Sequence, residues 1–215
     1  MAKINQTTIV YTKIKERIDN GFYSPGESLP EMELSIELSA SRNTIKKALL
    51  MLENDAYVTI ETNKGAKVRS VSKQEVLDYL QLRVELEGFI MRLAVPLFTD
   101  ADIQKLDDIF SKMKKLLDDN DLMGYSAMNQ QFHSIIYDTC PNKTATEMLT
   151  RLKSQMRKYN AKTILVPGRN EHSYEEHKAI LDAIKKREVH AAETSIRQHV
   201  ENVRDTFEKY YSLLF

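Results

Sequence analysis

The spacing of apolar residues predicts three short helices at the start of the chain. Apolar side chains recur every four positions from Val10 to Ile18, which indicates a helix that ends at the DNGFYSPG turn. Ser28 and Glu31, three residues apart and with a proline between them, fit the opening of a second helix. Ser41 can cap a third helix, whose apolar face is formed by Ile45, Ala48, Leu49 and Leu52.

The period of the pattern changes after residue 55. YVTIE and AKVR alternate apolar and polar residues, and TNKG lies between them. This predicts a β-hairpin in which Gly65 is free to take a positive φ. Helices followed by such a hairpin are typical of a winged helix-turn-helix, whose third helix enters the major groove of DNA. We therefore predict a winged helix-turn-helix domain over residues 1–70.

Long amphipathic segments fill the rest of the chain, at 73 to 95, 99 to 119, 121 to 139, 142 to 165, 171 to 187 and 188 to 213. Pro96, Pro141 and Pro167 fall between them, where helices should stop. After a linker at residues 71–76, we predict an all-α antiparallel bundle over residues 77–215. The fold class is therefore mainly α.

Composition restricts any charge-based function to a local patch. The 215 residues include 31 Lys and Arg and 31 Asp and Glu, so the formal net charge is zero. The N-terminal stretch lacks the apolar core of a signal peptide, and no stretch approaches the ~20 apolar residues of a membrane span. Cys140 is the single cysteine, which favours a reducing compartment. We expect a cytoplasmic protein that makes no membrane contact.

One local patch stands out in SRNTIKKALLMLEND, which has three cations before its first acid, Glu53. Arginine can bind guanine through two hydrogen bonds, asparagine can pair with adenine, and lysine can contact guanine or phosphate. For cations alone a solvated helix face is the more common explanation, but Lys67 and its neighbours add positive charge to the predicted hairpin. We predict contacts with double-stranded DNA by Arg42, Asn43, Thr44, Lys46, Lys47, Lys64 and Gly65.

The N-terminal third resembles the GntR family of bacterial transcription regulators. The family's G-x-φ-x-P-G-x-x-L turn is matched by GFYSPGESL, and EMELS, SRNTIKKAL and NKGAKV match its next three motifs. The resemblance implies base-edge and phosphate contacts by Arg42, Asn43 and Lys46, with Gly65 at the wing tip. Met32 stands where many members have an arginine, and Lys46 replaces the usual second arginine. Lysine lacks the rigid fork of arginine, so we expect looser readout at that base pair.

Three histidines in the second half share a common setting. Asn129 and His133 are four residues apart in NQQFH, so both side chains leave one helix face, as two ligands of one ion would. His177 and His199 each lie beside an apolar stripe that should face the bundle interior. One such histidine is more often a core residue, but three together favour a site. The remaining two histidines match no motif and are expected at the surface.

These motifs are similar to the FCD ligand-binding domain of the FadR-type branch of the GntR family. NQQFH, EEHKAILDAI and RQH follow the domain's order, and LQLRVELEGF resembles its L-R-x-x-L-E opening. The similarity is closer to the shorter, six-helix VanR-like group. It implies a divalent metal, Zn or Ni, beside which a small carboxylate effector binds. The implied ligands are Asn129, His133, His177 and His199.

Asn129 and Arg83 are the two positions at which the roles implied by the resemblance have alternatives. Asn129 replaces the aspartate of the FCD pattern, and a neutral amide oxygen is a weaker ligand than a carboxylate. With three neutral imidazoles and an amide the ion would keep its full charge, which favours an anionic ligand. Arg83 is a candidate second anchor for that ligand, although a salt bridge with Glu87 one turn away is the more common role.

The main hypothesis is that the protein is a homodimeric transcription regulator controlled by an effector. We expect it to repress transcription. Paired half-sites in DNA call for two-fold symmetry, which predicts the dimer. One alternative keeps the DNA-binding function but gives the metal a purely structural role, or makes the metal itself the signal. Another is a metallohydrolase, since three histidines with an open position also describe a hydrolytic zinc site. Against it, the chain has no H-E-x-x-H motif and no carboxylate whose spacing suits a general base.

Overall fold

The computed structural model describes residues 5–61, 65–156, 163, 164 and 166–214. Most of these residues are helical, as predicted, and the sheet is confined to the N-terminal part. The chain divides into two units, Met1–Ser72 and Lys73–Phe215. We describe each unit by itself.

The described residues of the N-terminal unit form three helices and a small antiparallel sheet with strand order β1-β3-β2. The elements run in the order α1 (Gln6–Asp19), β1 (Ser28–Leu29), α2 (Glu31–Glu37), α3 (Arg42–Asn54), β2 (Val58–Glu61) and β3 (Gly65–Val68). The predicted hairpin is confirmed, with Val58 opposite Val68 and Glu61 opposite Gly65. Gly65 has a φ of 80°, a value that costs glycine little because it has no Cβ.

The short strand β1 differs from the sequence prediction. Ser28 pairs with Lys67 and Leu29 with Ala66, so Ser28 belongs to the sheet and does not cap α2. The helix begins at Glu31, with Pro30 in the N-cap position and no side-chain cap. The side chain of Leu29 is buried, and this burial holds the segment against the sheet. A strand of two residues has no period, so the spacing of apolar residues could not reveal it.

Helix α3 is held by its cap and by a fully buried face. Ser41 Oγ accepts a hydrogen bond from the backbone N–H of Thr44 at 3.2 Å, which satisfies one of the free donors at the helix start. The core that this helix shares with α1, α2 and the sheet includes Val10, Ile14, Leu29, Leu34, Ile45, Ala48, Leu49, Leu52, Val58 and Val68. The predicted apolar face of the third helix is therefore confirmed.

The second unit is a helical bundle. Its elements are α4 (Lys73–Ala94), a 3₁₀ turn (Val95–Leu97), α5 (Asp100–Asp118), α6 (Leu122–Thr139), α7 (Lys143–Gln155), α8 (Arg169–Lys185) and α9 (Val189–Leu214). Helix α4 packs against α6, α7 and α9, while α8 packs against α5 and α9. Within the described residues, no helix has both the length and the apolar character needed to cross a membrane.

Two helix boundaries in this unit differ from the predicted ones. Helix α4 begins at Lys73, so the last four residues of the predicted linker form its first turn, and Val76 is buried. Helix α7 ends at Gln155 with Met156 as its C-cap, whereas the prediction extended it to residue 165. The following residues of the predicted helix, 157–162, lie outside the described part of the chain.

One continuous apolar core connects the helices that carry the predicted metal ligands. It includes Phe132 and Ile136 from α6, Ile180 and Ile184 from α8, and Ile196 from α9. Ile136, Ile180 and Ile196 each lie three positions from a histidine of the same helix, so each histidine shares the inward face of its helix. The packing of the apolar side chains thereby directs all three imidazoles toward the bundle interior.

Leu52→Ala should destabilise the protein by about 2–4 kcal/mol, because the removed methyl groups leave a cavity in a fully buried site. Leu50→Ala is the matched control, since Leu50 lies on the same helix and is 49% exposed; its effect should be about 0.5 kcal/mol or less. Urea unfolding of the full chain measures both changes. Equal losses in the two variants would contradict the packing of α3.

Candidate metal centre and nucleic-acid interface

The exposed face of α3 carries the predicted DNA-contacting side chains. Arg42, Asn43, Lys46 and Lys47 are all exposed. Thr44 is half-buried, and its Oγ1 lies 2.8 Å from Ser41 Oγ, so its hydroxyl belongs to the helix cap. Gly65 is exposed at the start of β3, while Lys64 lies outside the described residues.

The electrostatics of this face suit a phosphate backbone. The first turn of α3 has no acidic residue, and the N-terminus of a helix carries a partial positive charge that attracts anions. Met32 on α2 is 62% exposed and brings no charge at the position where the resemblance implies an arginine. The surface can therefore bind DNA through α3, with fewer arginines than the resemblance implies.

The structure brings the three predicted histidines together in the second unit. His133 on α6, His177 on α8 and His199 on α9 are buried, and one ring nitrogen of each lies within 4.8 Å of the others. The Nε2 atoms of His133 and His177 are 3.1 Å apart. We call these three residues the histidine cluster.

Asn129 completes the set of predicted ligands. It lies one turn before His133 on α6 and is half-buried. Its Oδ1 is 3.0 Å from His177 Nε2, so the amide presents its oxygen to the histidine cluster. All four predicted metal-site residues are thus neighbours in space.

An outer layer of oxygen atoms lies beside the far nitrogen of each imidazole, within hydrogen-bond distance for His177 and His199. His177 Nδ1 is 2.6 Å from the carbonyl oxygen of Ser173, and His199 Nδ1 is 2.7 Å from Glu176 Oε2. His133 Nδ1 lies 3.5 Å from Glu87 Oε2. A carbonyl or carboxylate oxygen can only accept, so each of these contacts favours a proton on Nδ1.

The preferred tautomers leave Nε2 lone pairs facing one another. With both Nδ1 atoms protonated, the Nε2 atoms of His133 and His177 are acceptors only 3.1 Å apart. Two facing acceptors repel unless a cation lies between them. Ligands about 2.0–2.1 Å from a tetrahedral zinc ion are roughly 3.4 Å apart, close to the observed spacing. The donor set and its spacing therefore fit a divalent metal.

Burial keeps the imidazoles neutral, which metal binding requires. It lowers the pKa of His133 to about 3, although Glu87 opposes the shift. Burial, followed by the neighbouring His199 and His133, lowers the pKa of His177 well below its usual value. The pKa of His199 is also lowered by burial, against the effect of Glu176.

A cavity of about 310 Å³ opens beside the histidine cluster. His133, His199 and Asn129 line it together with several hydroxyl and amide side chains. Three cationic side chains also line the cavity, namely Arg83, Lys153 and Arg169. A small anion with polar groups suits this lining.

Two of these cations pair with the carboxylates of the outer layer. Arg83 forms a buried ion pair with Glu87, the salt bridge that the sequence offered as the more common role of Arg83. Arg169 Nη2 is 2.9 Å from Glu176 Oε2, and Asn202 donates to Glu176 Oε1 at 2.8 Å. Arg83 also lines the cavity, so pairing with Glu87 does not remove it from the site.

Sequence reasoning missed most of this outer layer. Glu176 precedes His177 in the chain, yet it holds His199 on another helix, and helical spacing contains no signal for such a contact. Glu87 is the last residue of the L-R-x-x-L-E pattern, which was a usable signal. The two histidines expected at the surface lie where predicted, since His172 and His190 are exposed.

Comparison with protein families gives two matches that together span most of the chain. Residues 78–202 match the FCD domain. Residues 6–68 match the family described as bacterial regulatory proteins, gntR family. The first match contains the histidine cluster, and the second contains α3 and the sheet.

Curated relatives and solved structures agree with these matches. The chain is 30% identical to the Uxu operon regulator of Haemophilus influenzae, over 94% of this chain and 82% of the relative. It is 27% identical to the HTH-type transcriptional repressor GlaR of Escherichia coli, over 88% of this chain and 90% of the relative. The structure of Escherichia coli McbR/YncC is similar in fold, with a TM-score of 0.74, 21% identity, and coverage of 97% of this chain and 100% of that one.

The metal-free protein should lose stability as the pH falls below about 6.5. Histidines of the unfolded chain take up protons there, whereas His133 in the folded state does so only near pH 3. The contribution is present above pH 6.5 and declines by at most about 1.4 kcal/mol per pH unit for each buried histidine. Urea unfolding at pH 7.5 and 5.5 in the presence of a chelator measures it.

The matched variants for this test are His133→Gln and His172→Gln. His133→Gln should lose about 1 kcal/mol less than the wild type between the two pH values. His172→Gln changes an exposed histidine on α8 and should lose as much as the wild type. Identical losses in both variants would mean that His133 is not held neutral by the fold.

Proposed function

Because the chain belongs to the GntR family of bacterial regulatory proteins and carries an FCD domain, we propose that a metal-bound small carboxylate controls its operator affinity. The family defines the broader function, which is that of a DNA-binding transcription regulator and not of an enzyme. The metal, the carboxylate and their effect on DNA binding are the parts that we propose.

The convergence of Nε2 lone pairs in the histidine cluster carries this proposal. Three neutral imidazoles converge, with the Nδ1 atoms of His177 and His199 hydrogen-bonded to outer oxygens and that of His133 3.5 Å from Glu87 Oε2, an arrangement that suits metal ligands. Asn129 Oδ1 can supply a fourth ligand atom. Zinc or nickel suits imidazole ligands. The ion would be a Lewis acid for an anionic ligand in the adjoining cavity, as well as a support for the fold.

The charge of the site favours a carboxylate as the effector. The proposed inner ligands are neutral, so a divalent ion would keep its charge. Glu87 and Glu176 are each balanced by an arginine, which leaves the metal charge for a ligand in the cavity. Arg83 lines that cavity and can contribute to the field that attracts the carboxylate, while its direct partner is Glu87.

We propose a homodimer that represses transcription. The support is the two-fold symmetry that paired DNA half-sites demand, together with the GlaR relative, which is itself named a repressor. Arg42, Asn43, Lys46 and Lys47 would enter the major groove, with the residues around Gly65 near the backbone or the minor groove.

The alternatives make different predictions at the same site. A purely structural metal would stabilise the protein without altering operator affinity, whereas an effector must bind two conformations unequally. A metal that is itself the signal would alter operator affinity without any carboxylate. The metallohydrolase has little support, because Glu87 and Glu176 are held by arginines on the far side of the imidazoles and the relatives are regulators.

His177→Ala should abolish the stabilisation by Zn²⁺ and the response of DNA binding to carboxylates, while operator binding itself is retained. His172→Ala is the matched control, because His172 lies on the same helix and is exposed; it should behave as wild type. Melting temperature during metal titration and gel shifts with the protein's own upstream DNA measure these effects. At 100 times its dissociation constant, a bound metal would stabilise the folded state by about 2.7 kcal/mol.

Three outcomes of these measurements would contradict the proposed function or part of it. Equal loss of metal stabilisation in both variants would remove the histidine cluster as the binding site. Loss of operator binding together with metal binding in His177→Ala would indicate a structural metal. An unchanged gel shift across all metals and carboxylates would reject effector control.

Arg42→Ala should weaken operator binding by about 1–3 kcal/mol and relax base preference, because we propose that the exposed Arg42 contacts a base edge. Lys47→Ala should weaken specific and non-specific binding alike and reduce the salt slope by about 1. Lys112→Ala removes an exposed cation of α5 and serves as the control. Fluorescence anisotropy at several salt concentrations measures all three; an effect of Lys112→Ala as large as that of Arg42→Ala would contradict the assignment of α3.

A further inference from the structure

Lys153 is a cation of the cavity wall that forms no ion pair with a carboxylate in the described part of the chain. It lies on α7, is half-buried and lines the cavity beside the histidine cluster. Its Nζ donates a hydrogen bond to the Tyr137 hydroxyl at 2.8 Å and lies 4.8 Å from the centre of that ring. Among the described residues, none of the ion pairs within 4 Å involves Lys153.

Tyr137 cannot balance the charge of Lys153. Burial and the nearby Glu87 raise the pKa of the Tyr137 phenol well above its usual value, so the phenol is neutral. Burial lowers the pKa of Lys153 to about 8, with Glu87 opposing the shift. At neutral pH the ammonium group is therefore still mostly charged, and its remaining protons need acceptors.

The neighbouring carboxylate is shared and already engaged. Glu87 forms the buried ion pair with Arg83 and lies beside His133. Arg83 and Lys153 both hold the pKa of Glu87 well below its usual value, against the effect of burial. Two cations thus face a single carboxylate, and this side of the cavity keeps one positive charge in excess.

We propose that the effector is a small dicarboxylate, with one carboxylate at the proposed metal and the other bound by Lys153. This inference rests on the proposed function, since it assumes that the first carboxylate binds at the histidine cluster. Lys153 would donate charge-assisted hydrogen bonds to the second carboxylate, and the excess charge near Arg83 and Glu87 would be neutralised. A monocarboxylate would leave Lys153 desolvated without a counter-ion, which is costly in a partly buried site.

Pairs of acids of equal chain length provide the test. Butyrate is compared with succinate, and valerate with glutarate, by calorimetry on the Zn²⁺-loaded full chain. Each dicarboxylate should bind at least about tenfold more tightly than its monocarboxylate partner, in line with a hydrogen bond to a charged group. The ratio is measured on the wild type, so it does not depend on any variant that might fail to fold.

Three variants assign the effect to Lys153. In Lys153→Met the advantage of succinate and glutarate should fall by about tenfold, while butyrate and valerate keep their affinity within about twofold. Lys153→Arg should keep most of the advantage, since it keeps the charge. Lys112→Met on α5 removes an exposed cation and should change neither class of ligand.

The outcomes separate this inference from the proposed function. If monocarboxylates bind in a Zn²⁺-dependent way and dicarboxylates bind no better, the proposed function stands and the role of Lys153 is rejected. A dicarboxylate advantage that survives Lys153→Met also rejects it. The proposed function itself is overturned if neither class of acid binds the Zn²⁺-loaded chain. It is also overturned if their affinity is the same without Zn²⁺ and in His177→Ala.

Discussion

The burial of three imidazoles at the meeting of α6, α8 and α9 is the constraint on which the second unit depends. A buried imidazole is stable only when it is neutral and its nitrogens have partners. The Nδ1 atoms of His177 and His199 have theirs in Ser173 and Glu176, and that of His133 faces Glu87 at 3.5 Å. The Nε2 atoms of His133 and His177 face each other at 3.1 Å, and a metal ion is the natural partner for such lone pairs.

The outer carboxylates link this cluster to the rest of the cavity. Glu176 contacts His199 and Arg169, and Glu87 lies between Arg83 and His133. A buried carboxylate needs such partners, because the cost of removing its charge from water is high. The same contacts orient the imidazoles, so the pairs are part of the site and not separate ion pairs. They also leave Lys153 as the cavity cation that forms no ion pair within 4 Å among the described residues.

The two units use positive charge in different surroundings. On α3, Arg42, Lys46 and Lys47 are exposed to solvent, so their attraction to phosphate is screened by salt and acts over a wide surface. Around the cavity of the second unit, Arg83 and Arg169 are buried, so each of their interactions is stronger and more directional. This contrast suits one unit to a long polyanion and the other to a small anion.

Local spacing was enough to place the helices, the cap at Ser41, the hairpin, and the pair Asn129 and His133 on one helix face, because each depends on residues a few positions apart. The association of His177 and His199 with that pair came from a family resemblance. Strand β1, the early end of α7 and the outer layer could not be predicted in this way. A two-residue strand has no period, and Glu176 holds His199 across 23 residues and two helices. Such contacts arise only when packing brings helix faces together, and for that reason Lys153 entered the site from the structure alone.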